Sequence, residues 1–246
     1  HVLIVGDSHP GNSLDPGLFT SARNISQNAE PYVITYWKLK YILPRLEIDT
    51  LIMGFSHHSI SEFNDLKFID KMWTAEMFER SYAIQNFDEL EGIPINYNKF
   101  YRIYFRNMCL YPKTDHYDFI GEYENFNYSD VSNSEDVIER HFYYKDQEMG
   151  ISETSVSYLD SIVHICREHQ VTPLLVGTPV HEEYFKEIPE IFKKRYHKEK
   201  MRLRQNGVTV VDMTDHFYKD ELYLDADHLN EKGAEKFTEE VIGNIE

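Results

Sequence analysis

Short apolar runs that alternate with helix-like segments constrain the fold of this chain more than any other feature. Val2–Val5 is a run of four consecutive apolar residues, and Thr50–Gly54 is a second run of the same kind. Such runs are typical of strands that are buried on both faces in a parallel sheet. Two more strand candidates, Val171–Gly177 and Val208–Val211, alternate with predicted helices later in the chain. The alternation predicts an α/β fold with a parallel sheet, wound right-handedly, and helices on both of its faces.

The helices are predicted from apolar spacing and from proline. Ser155–His169 carries apolar residues at intervals of three and four, the spacing of a helix with one buried face. The segment Pro31–Leu43 begins with a proline, which is favoured in the first turn, and a second proline ends it. Two further helices are predicted over Pro189–Gln205 and Asn230–Ile245.

The middle of the chain, approximately residues 63–152, does not follow this alternation. It is crowded with tyrosine and phenylalanine, as in Tyr97–Phe105, and the whole chain contains 18 Tyr and 15 Phe. We interpret it as an insertion into a single domain of residues 1–246, with a helical part near Leu66–Arg80. Aromatic rings can stack on sugars, but packing of the insertion onto one face of the core is the interpretation we favour.

The charge of the chain limits its partners. Its 42 acidic and 25 basic residues give a formal net charge of −17, which would repel nucleic acid and anionic lipid surfaces. No apolar run reaches the roughly 18 residues that a membrane-spanning helix requires. The sequence starts directly with a strand and lacks an initiator methionine. We therefore expect that the chain has been trimmed, so that any leader or anchor lies outside this sequence, and that membrane contact occurs only through such an anchor.

Residues suited to nucleophilic catalysis stand in two short motifs near opposite ends of the chain. Gly6-Asp7-Ser8-His9 follows the first strand, and Asp225-Ala226-Asp227-His228 precedes the last predicted helix. Sites in parallel α/β sheets form at the carboxyl ends of the strands, where distant segments can meet. A serine hydroxyl is a weak nucleophile that needs an adjacent base, for which His228 is the candidate. Asp225 lies three residues before His228, a spacing at which its carboxylate could bind the other ring nitrogen and fix the imidazole tautomer. We interpret Asp227 as a loop or capping residue.

These motifs resemble those of the SGNH (GDSL-type) hydrolase superfamily. Gly6-Asp7-Ser8 matches its serine motif after the first strand, and Asp225-x-x-His228 matches its motif before the last helix. The order of strands and helices agrees over residues 1–62 and 153–246. The resemblance implies a three-layer, flavodoxin-like α/β fold and an esterase or acyltransferase that needs no cofactor. It also implies that Ser8 is the nucleophile, His228 the base and Asp225 the residue that orients the base.

The resemblance further indicates where an oxyanion would bind. Gly54, Ser56 and His57 stand where the superfamily carries Gly-x-Asn-Asp, so we expect all three in the oxyanion and substrate pocket. The serine would replace the asparagine donor with a shorter hydroxyl group. The superfamily's glycine donor has no counterpart, and we expect a backbone N–H of Ser26 or Gln27 to serve instead.

The predicted function is ester hydrolysis or O-acyl transfer on a small-molecule or glycan acyl ester. The N-terminal part of the chain resembles bacterial envelope proteins that carry a Gly-(Asp/Ser)-Ser-His turn and an N-terminal membrane anchor. Some of these proteins acylate or deacylate cell-surface polysaccharides. The resemblance implies an extracytoplasmic location, in the periplasm or anchored to the envelope membrane, and a cytoplasmic location stays the alternative. An acylated surface carbohydrate is therefore the substrate class that we favour.

Two other classes of protein remain open. A non-catalytic glycan-binding or assembly protein of the same fold would explain the missing asparagine and glycine donors. A metal-dependent phosphoesterase is suggested by Asp7-Ser8-His9, which has the Asp-x-His pattern of such enzymes. Their other segments, Gly-Asp-x-x-Asp, Gly-Asn-His and Gly-His-x-His, do not occur in the sequence. We therefore expect His9, His57 and His58 to line the pocket rim and not to bind a metal.

Overall fold

A five-stranded parallel sheet forms the centre of the protein. The computed structural model describes residues 1–69, 74, 77, 97–110 and 121–245. Its strands are β1 (Val2–Val5), β2 (Ala22–Asn24), β3 (Thr50–Gly54), β4 (Tyr143–Tyr144), β5 (Gln147–Glu148), β6 (Thr172–Gly177) and β7 (Thr209–Asp212). The main sheet has the order β2-β1-β3-β6-β7, and β4 and β5 form a separate antiparallel hairpin. This is the flavodoxin-like strand order, and the predicted α/β fold class is confirmed.

Helices cover both faces of the sheet. They are α1 (Ser8–Ser13), α2 (Tyr32–Ile42), α3 (Phe63–Leu66), α4 (Tyr97–Phe105), α5 (Ser134–Phe142), α6 (Glu153–Glu168), α7 (Glu182–Glu187), α8 (Glu190–Gln205) and α9 (Glu231–Gly243). Short 3₁₀ turns occur at Pro16–Leu18, His58–Ile60, Val131–Asn133 and Asp220–Leu222, and a π-helical turn occurs at Arg106–Leu110. None of the helices within the described ranges is long and apolar enough to cross a membrane.

The strands are apolar throughout because both of their faces are buried. In β1, Leu3 and Val5 join the core layer that α2, α6 and α8 cover. Ile4 points the other way, into the layer beneath α9. Burying a side chain of this size stabilises the fold by about 1.5–3 kcal/mol relative to leaving it exposed, so neither face of the strand favours a polar residue.

Two glycines allow α1 to begin directly at the edge of the sheet. Gly6 has a φ of +129°, which L side chains rarely adopt. At Gly54, a Cβ would lie only 2.7 Å from the Cδ of Pro10 in α1. Because the backbones approach this closely, α1 packs against both β1 and β3, and its first residue, Ser8, lies at the carboxyl edge of the sheet.

Most element boundaries follow the prediction, but α1 and β2 were not predicted. The helix α1 contains Pro10 and Gly11, which are poor helix formers. It begins where it does because Asp7 caps it: the Oδ1 of Asp7 accepts a hydrogen bond of 3.0 Å from the N–H of His9. The strand β2 is only three residues long and includes Arg23 and Asn24, so it lacks the apolar signature of the other strands.

The region predicted as an insertion is described in part. The helix predicted near Leu66–Arg80 falls largely outside the described residues, and α3 ends at Leu66. The aromatic stretch Tyr97–Phe105 forms α4. Further along, α5 packs against α7 through a small separate core that includes Phe142 and Tyr184. The assignment of residues 63–152 as one insertion in a single domain stays a prediction.

Candidate active site

Ser8 stands at the first turn of α1, immediately after the end of β1. The Oδ1 of Asp7 caps this turn, and its Oδ2 lies 2.8 Å from the Nε2 of His58. Burial opposes ionisation of Asp7, but His58 and His9 outweigh it and hold the pKa of this carboxyl below its ordinary value. Within the described residues the backbone N–H of Ser8 has no hydrogen-bond partner, as is usual for the first N–H groups of a helix.

His228 connects Ser8 to Asp225. The Nε2 of His228 lies 2.7 Å from the Oγ of Ser8. Its Nδ1 lies 2.9 Å and 3.1 Å from the two carboxylate oxygens of Asp225. The backbone N–H groups of Asp227 and His228 both donate to the Oδ1 of Asp225, so the loop itself holds this carboxylate in place. The structure thus brings together the three side chains that the sequence predicted as nucleophile, base and orienting residue.

A cavity of about 260 Å³ opens beside these three residues. It is lined by Asp7, Ser8, Asn12, Asn28, Ala29, His58, Phe63, Lys67, Phe126, Arg140, His141, Leu224, Asp225, Asp227 and His228. A wider groove of about 760 Å³ runs along α5 and the β4-β5 hairpin and shares Phe63 and Arg140 with the cavity. The groove lacks the Ser8–His228 pair, so we place the candidate site in the smaller cavity.

The oxyanion donors predicted near Ser26 are already engaged. The N–H of Ser26 donates to the Oδ1 of Asn24 at 3.0 Å, and the N–H of Gln27 donates to the carbonyl of Gly6 at 2.9 Å. Ser26 is buried and does not line the cavity. The structure therefore does not bring Ser26 to the described wall of the cavity, because its N–H is bonded to Asn24 in β2 and the N–H of Gln27 connects this segment to Gly6 after β1. A role of Ser26 in the pocket stays a prediction.

The segment after β3 is oriented differently from the prediction. Neither Ser56 nor His57 is among the described residues that line the cavity. The ring of His57 lies 4.2 Å from that of Tyr196, inside the protein, and burial lowers the pKa of His57 to about 3. The 3₁₀ turn at this point directs the next side chain, His58, into the cavity instead. The structure therefore places His58, and not Ser56 or His57, in the described wall of the cavity.

Gly54 has a structural role that the sequence indicated only in part. It allows a close backbone approach, but the group that approaches it is the ring of Pro10 and not a substrate. The residue acts on the site indirectly, because it lets α1 carry Ser8 close to the sheet. Gly54 itself is not among the described residues of the cavity wall.

A second chain of polar contacts lies behind His228, and the sequence did not indicate it. The Nε2 of His9 lies 3.1 Å from the Oδ2 of Asp227, and its Nδ1 lies 2.9 Å from the hydroxyl of Thr178 at the end of β6. Asp227 was predicted as a loop or capping residue but is a buried carboxylate. Burial opposes its ionisation, but His228 and His9 outweigh that effect and hold the pKa of Asp227 well below its ordinary value.

The carboxylates raise the basicity of His228. Burial alone would lower the pKa of this imidazole, but Asp227 and then Asp225 outweigh it and raise the pKa to about 9. The two neighbouring histidines behave differently: burial lowers the pKa of His58 to about 4 and that of His141 well below its ordinary value. At neutral pH the site therefore combines a largely protonated His228 with neutral His58 and His141.

Ala29 is a cavity residue with an unusual backbone. Its φ is +58°, in the left-handed region that alanine rarely adopts. It lies in the loop after β2, and its carbonyl accepts a hydrogen bond from the Nζ of Lys67 at 3.0 Å. Within the described residues its own N–H has no partner. No sequence signal distinguishes this position, because glycine would be the residue expected at such a φ.

One group of described side chains has atoms close enough together for a metal ion. His9, Asp227 and His228 each bring one ligand-type atom to within 4.8 Å of the others. However, both nitrogens of His228 already contact Ser8 and Asp225, and the Nε2 of His9 contacts Asp227. A metal ion bound here would have to replace these contacts, which join the three side chains in a hydrogen-bonded network.

Comparisons with known proteins agree with the predicted superfamily. The model of a family described as DltD protein matches residues 123–243, just under half of the chain, including the Asp225–His228 motif. This family is GDSL-like and SGNH-related, so the match confirms the resemblance to the SGNH superfamily. No curated protein is significantly similar in sequence.

The chain has limited similarity to solved structures from three bacteria. A protein described as an acylhydrolase from Bacteroides fragilis is 9% identical, with a TM-score of 0.49 over 99% of this chain and 85% of its own. A GDSL-like lipase from Bacteroides thetaiotaomicron is 8% identical, with a TM-score of 0.47 over 99% and 86%. A member of the lipolytic G-D-S-L family from Veillonella parvula is 8% identical, with a TM-score of 0.46 over 98% and 96%.

Proposed function

Because the chain is an SGNH-like α/β protein, we propose that it is a serine-dependent ester hydrolase or O-acyl transferase. The observation that carries this proposal is the 2.7 Å separation between the Oγ of Ser8 and the Nε2 of His228. The opposite nitrogen of the same ring is held 2.9 Å from Asp225. A nucleophile, a base and an orienting carboxylate in this order are what acyl transfer by a serine requires.

The reaction follows from these contacts. The Oγ of Ser8 attacks the carbonyl carbon of the ester while the Nε2 of His228 removes the hydroxyl proton. Asp225 holds the Nδ1–H of the ring and stabilises the imidazolium that forms. His228 then returns the proton to the leaving alcohol, which leaves an acyl group on Ser8. Water or an acceptor hydroxyl, deprotonated by His228, resolves the acyl-enzyme into an acid or a new ester.

The negative oxygen of the tetrahedral intermediate needs hydrogen-bond donors. The N–H groups of Ser8 and Ala29 are our candidates, since both residues line the cavity and neither N–H has a partner among the described residues. Removing one such donor typically slows catalysis by about 10²–10³-fold. These two donors would replace the N–H of Ser26 and the hydroxyl of Ser56 that the sequence indicated.

The cavity favours a small acyl group. Its volume of about 260 Å³ leaves room for a short chain, and Phe63, Phe126 and Leu224 provide apolar surface. Asn12 and Asn28 add polar groups to the same wall. We therefore favour a short-chain ester of a carbohydrate as the substrate. An extracytoplasmic location is part of the proposal and is supported by the resemblance of the N-terminal motif to bacterial envelope proteins.

Two measurements test the serine mechanism. The first is release of p-nitrophenol from p-nitrophenyl acetate by the wild-type protein, Ser8→Ala and His228→Ala. The second is labelling with a serine-directed fluorophosphonate, followed by mass spectrometry of the modified peptide. We expect turnover to vanish in both variants and the label to be on Ser8. Ser157→Ala, on the exposed side of α6, is the matched control and is expected to behave like the wild type. Turnover that survives in Ser8→Ala refutes the proposal.

A non-catalytic glycan-binding protein is the second candidate. It is favoured by one observation, namely that the predicted donors at Ser26 and Ser56 do not face the cavity. Such a protein would fail to react with the phosphonate but would bind an acylated oligosaccharide in isothermal titration calorimetry. Labelling of Ser8 together with turnover excludes this candidate.

A further inference from the structure

Two carboxylates, and not one, face the ring of His228. The Oδ1 of Asp225 lies 2.9 Å from the Nδ1, and the Oδ1 of Asp227 lies 3.4 Å from the same atom. The side chain of Asp225 is 26% exposed, whereas that of Asp227 is 1% exposed. The mechanism derived above uses only Asp225, so the buried carboxylate has no role in it.

Asp227 is held rigidly but is not fully hydrogen-bonded. Its Oδ2 contacts the Nε2 of His9, whose other nitrogen contacts the hydroxyl of Thr178. Its Oδ1 is a buried atom with no hydrogen-bond partner in the described structure. A buried, unsatisfied carboxylate oxygen destabilises a fold, so its retention calls for a functional explanation. The Nδ1 of His228 lies 3.4 Å from this oxygen, so the imidazolium of His228 is a cation that can form beside it.

We propose that Asp227, fixed by His9, is a positioning residue that stabilises the imidazolium of His228 from the protein interior. The inference rests on the proposed function, because it deepens the role of the base. Asp225 would then set the ring orientation through hydrogen bonds at the solvent side. Asp227 would act through charge at 3.4 Å, where little water screens the interaction.

The other charged and titratable groups around His228 do not cancel this effect. Asp7, in the turn before α1, adds a further negative charge. From α1, the ring of His9 lies 5.0 Å from that of His228 and is hydrogen-bonded to Asp227. His58 from the 3₁₀ turn and His141 from α5 are both neutral at pH 7, since burial lowers their pKa. The raised pKa of His228 is consistent with the proposed role.

The test is an NMR titration of His228 in catalytically silent protein. Ser8→Ala is compared with Ser8→Ala/Asp227→Asn, and the His228 signal is assigned by its loss in His228→Gln. We expect the pKa of His228 to fall by about one to two units when Asp227 becomes asparagine. A fall of less than half a unit overturns the proposal. Asp220→Asn is the matched control, because this exposed carboxylate contacts His181 and, among the described residues, does not contact His228, so the pKa of His228 should be unchanged.

A second variant covers the case in which Asp227→Asn does not fold. In Ser8→Ala/Asp225→Asn the exposed carboxylate is removed and Asp227 remains. We expect the pKa of His228 to stay above its ordinary value of 6.5, and a pKa at or below that value overturns the proposal. Since all of these proteins lack the nucleophile, the result does not depend on turnover. Failure of the proposed function would instead appear as activity retained in Ser8→Ala alone.

Kinetics give a readout that a purely structural role would not change. In Asp227→Asn with Ser8 intact, the midpoint of the acid limb of the kcat/KM profile should move to lower pH by about one to two units, because His228 is then a weaker base. A lower kcat with an unmoved limb would mean that Asp227 only supports the fold. That result would overturn the proposed role.

Discussion

Replacing Gly54 with alanine tests how the sheet edge positions the nucleophile. A Cβ at this position would lie 2.7 Å from the Cδ of Pro10, and ordinary contacts begin at 3.4 Å, so α1 must retreat by 3.4 − 2.7 = 0.7 Å. The sheet cannot yield easily, since Gly54 is paired with Val176 in β6. Ser8 lies two residues before Pro10, so its Oγ would move away from His228, which now lies at 2.7 Å.

The expected losses can be given a magnitude. Overpacking of this kind costs about 1–3 kcal/mol in the free energy of unfolding. A displacement of this size at a reacting group lowers kcat/KM by roughly 10–100-fold. Urea denaturation measures the first quantity, and hydrolysis of p-nitrophenyl acetate measures the second.

The matched control is Gly243→Ala at the end of α9. A Cβ there has no atom within 4 Å, and its φ is not positive, so the added methyl group should fit freely. We expect unchanged activity and a stability gain of up to about 1 kcal/mol, since alanine is favoured over glycine in a helix. If Gly54→Ala also leaves both stability and turnover unchanged, the argument that Gly54 positions α1 is refuted.

Four further outcomes are expected. With the pKa of His228 raised to about 9, the rise of kcat/KM with pH should have its midpoint near pH 9, because only the neutral ring accepts a proton; a midpoint below pH 7 contradicts this. The same shift favours the folded state fully below pH 6.5 and is lost as pH rises through about 9, which thermal melts can follow. Ser26→Ala should keep turnover within about twofold, since its hydroxyl does not line the cavity. Treatment with EDTA should leave hydrolysis unchanged, and activity restored only by added Zn²⁺ would favour the phosphoesterase alternative.

Local sequence was sufficient to predict the framework of the fold. Val2–Val5 and Thr50–Gly54 were predicted with the boundaries that the structure has, because burial on both faces leaves an unbroken apolar run in the sequence. The motifs at the two ends of the chain also predicted that Ser8, Asp225 and His228 lie together. Their motifs follow or precede regular elements, and the carboxyl edge of a parallel sheet brings such segments together.

The wall of the cavity depended on contacts that no local pattern records. His57 and His58 are adjacent in sequence, yet the 3₁₀ turn directs one ring towards Tyr196 and the other towards Asp7. The backbone N–H of Ser26 was predicted to be available, but its partner is the side chain of Asn24. Whether an N–H group is free is decided by the packing around it, and a sequence motif does not carry that information.

Asp227 shows most clearly what could be predicted from the sequence and what depended on the tertiary structure. The sequence showed that two aspartates precede His228 in a predicted loop, and their spacing favoured Asp225 as the carboxylate that orients the ring of His228. Only the tertiary structure decided that Asp227 is buried, where His9 from α1 contacts it and is itself held by Thr178 directly after β6. The strands and the three-residue spacing of Asp225 and His228 are properties of short segments, so local sequence encodes them. The environment of a buried charge is set by several elements at once, so it exists only after they have packed.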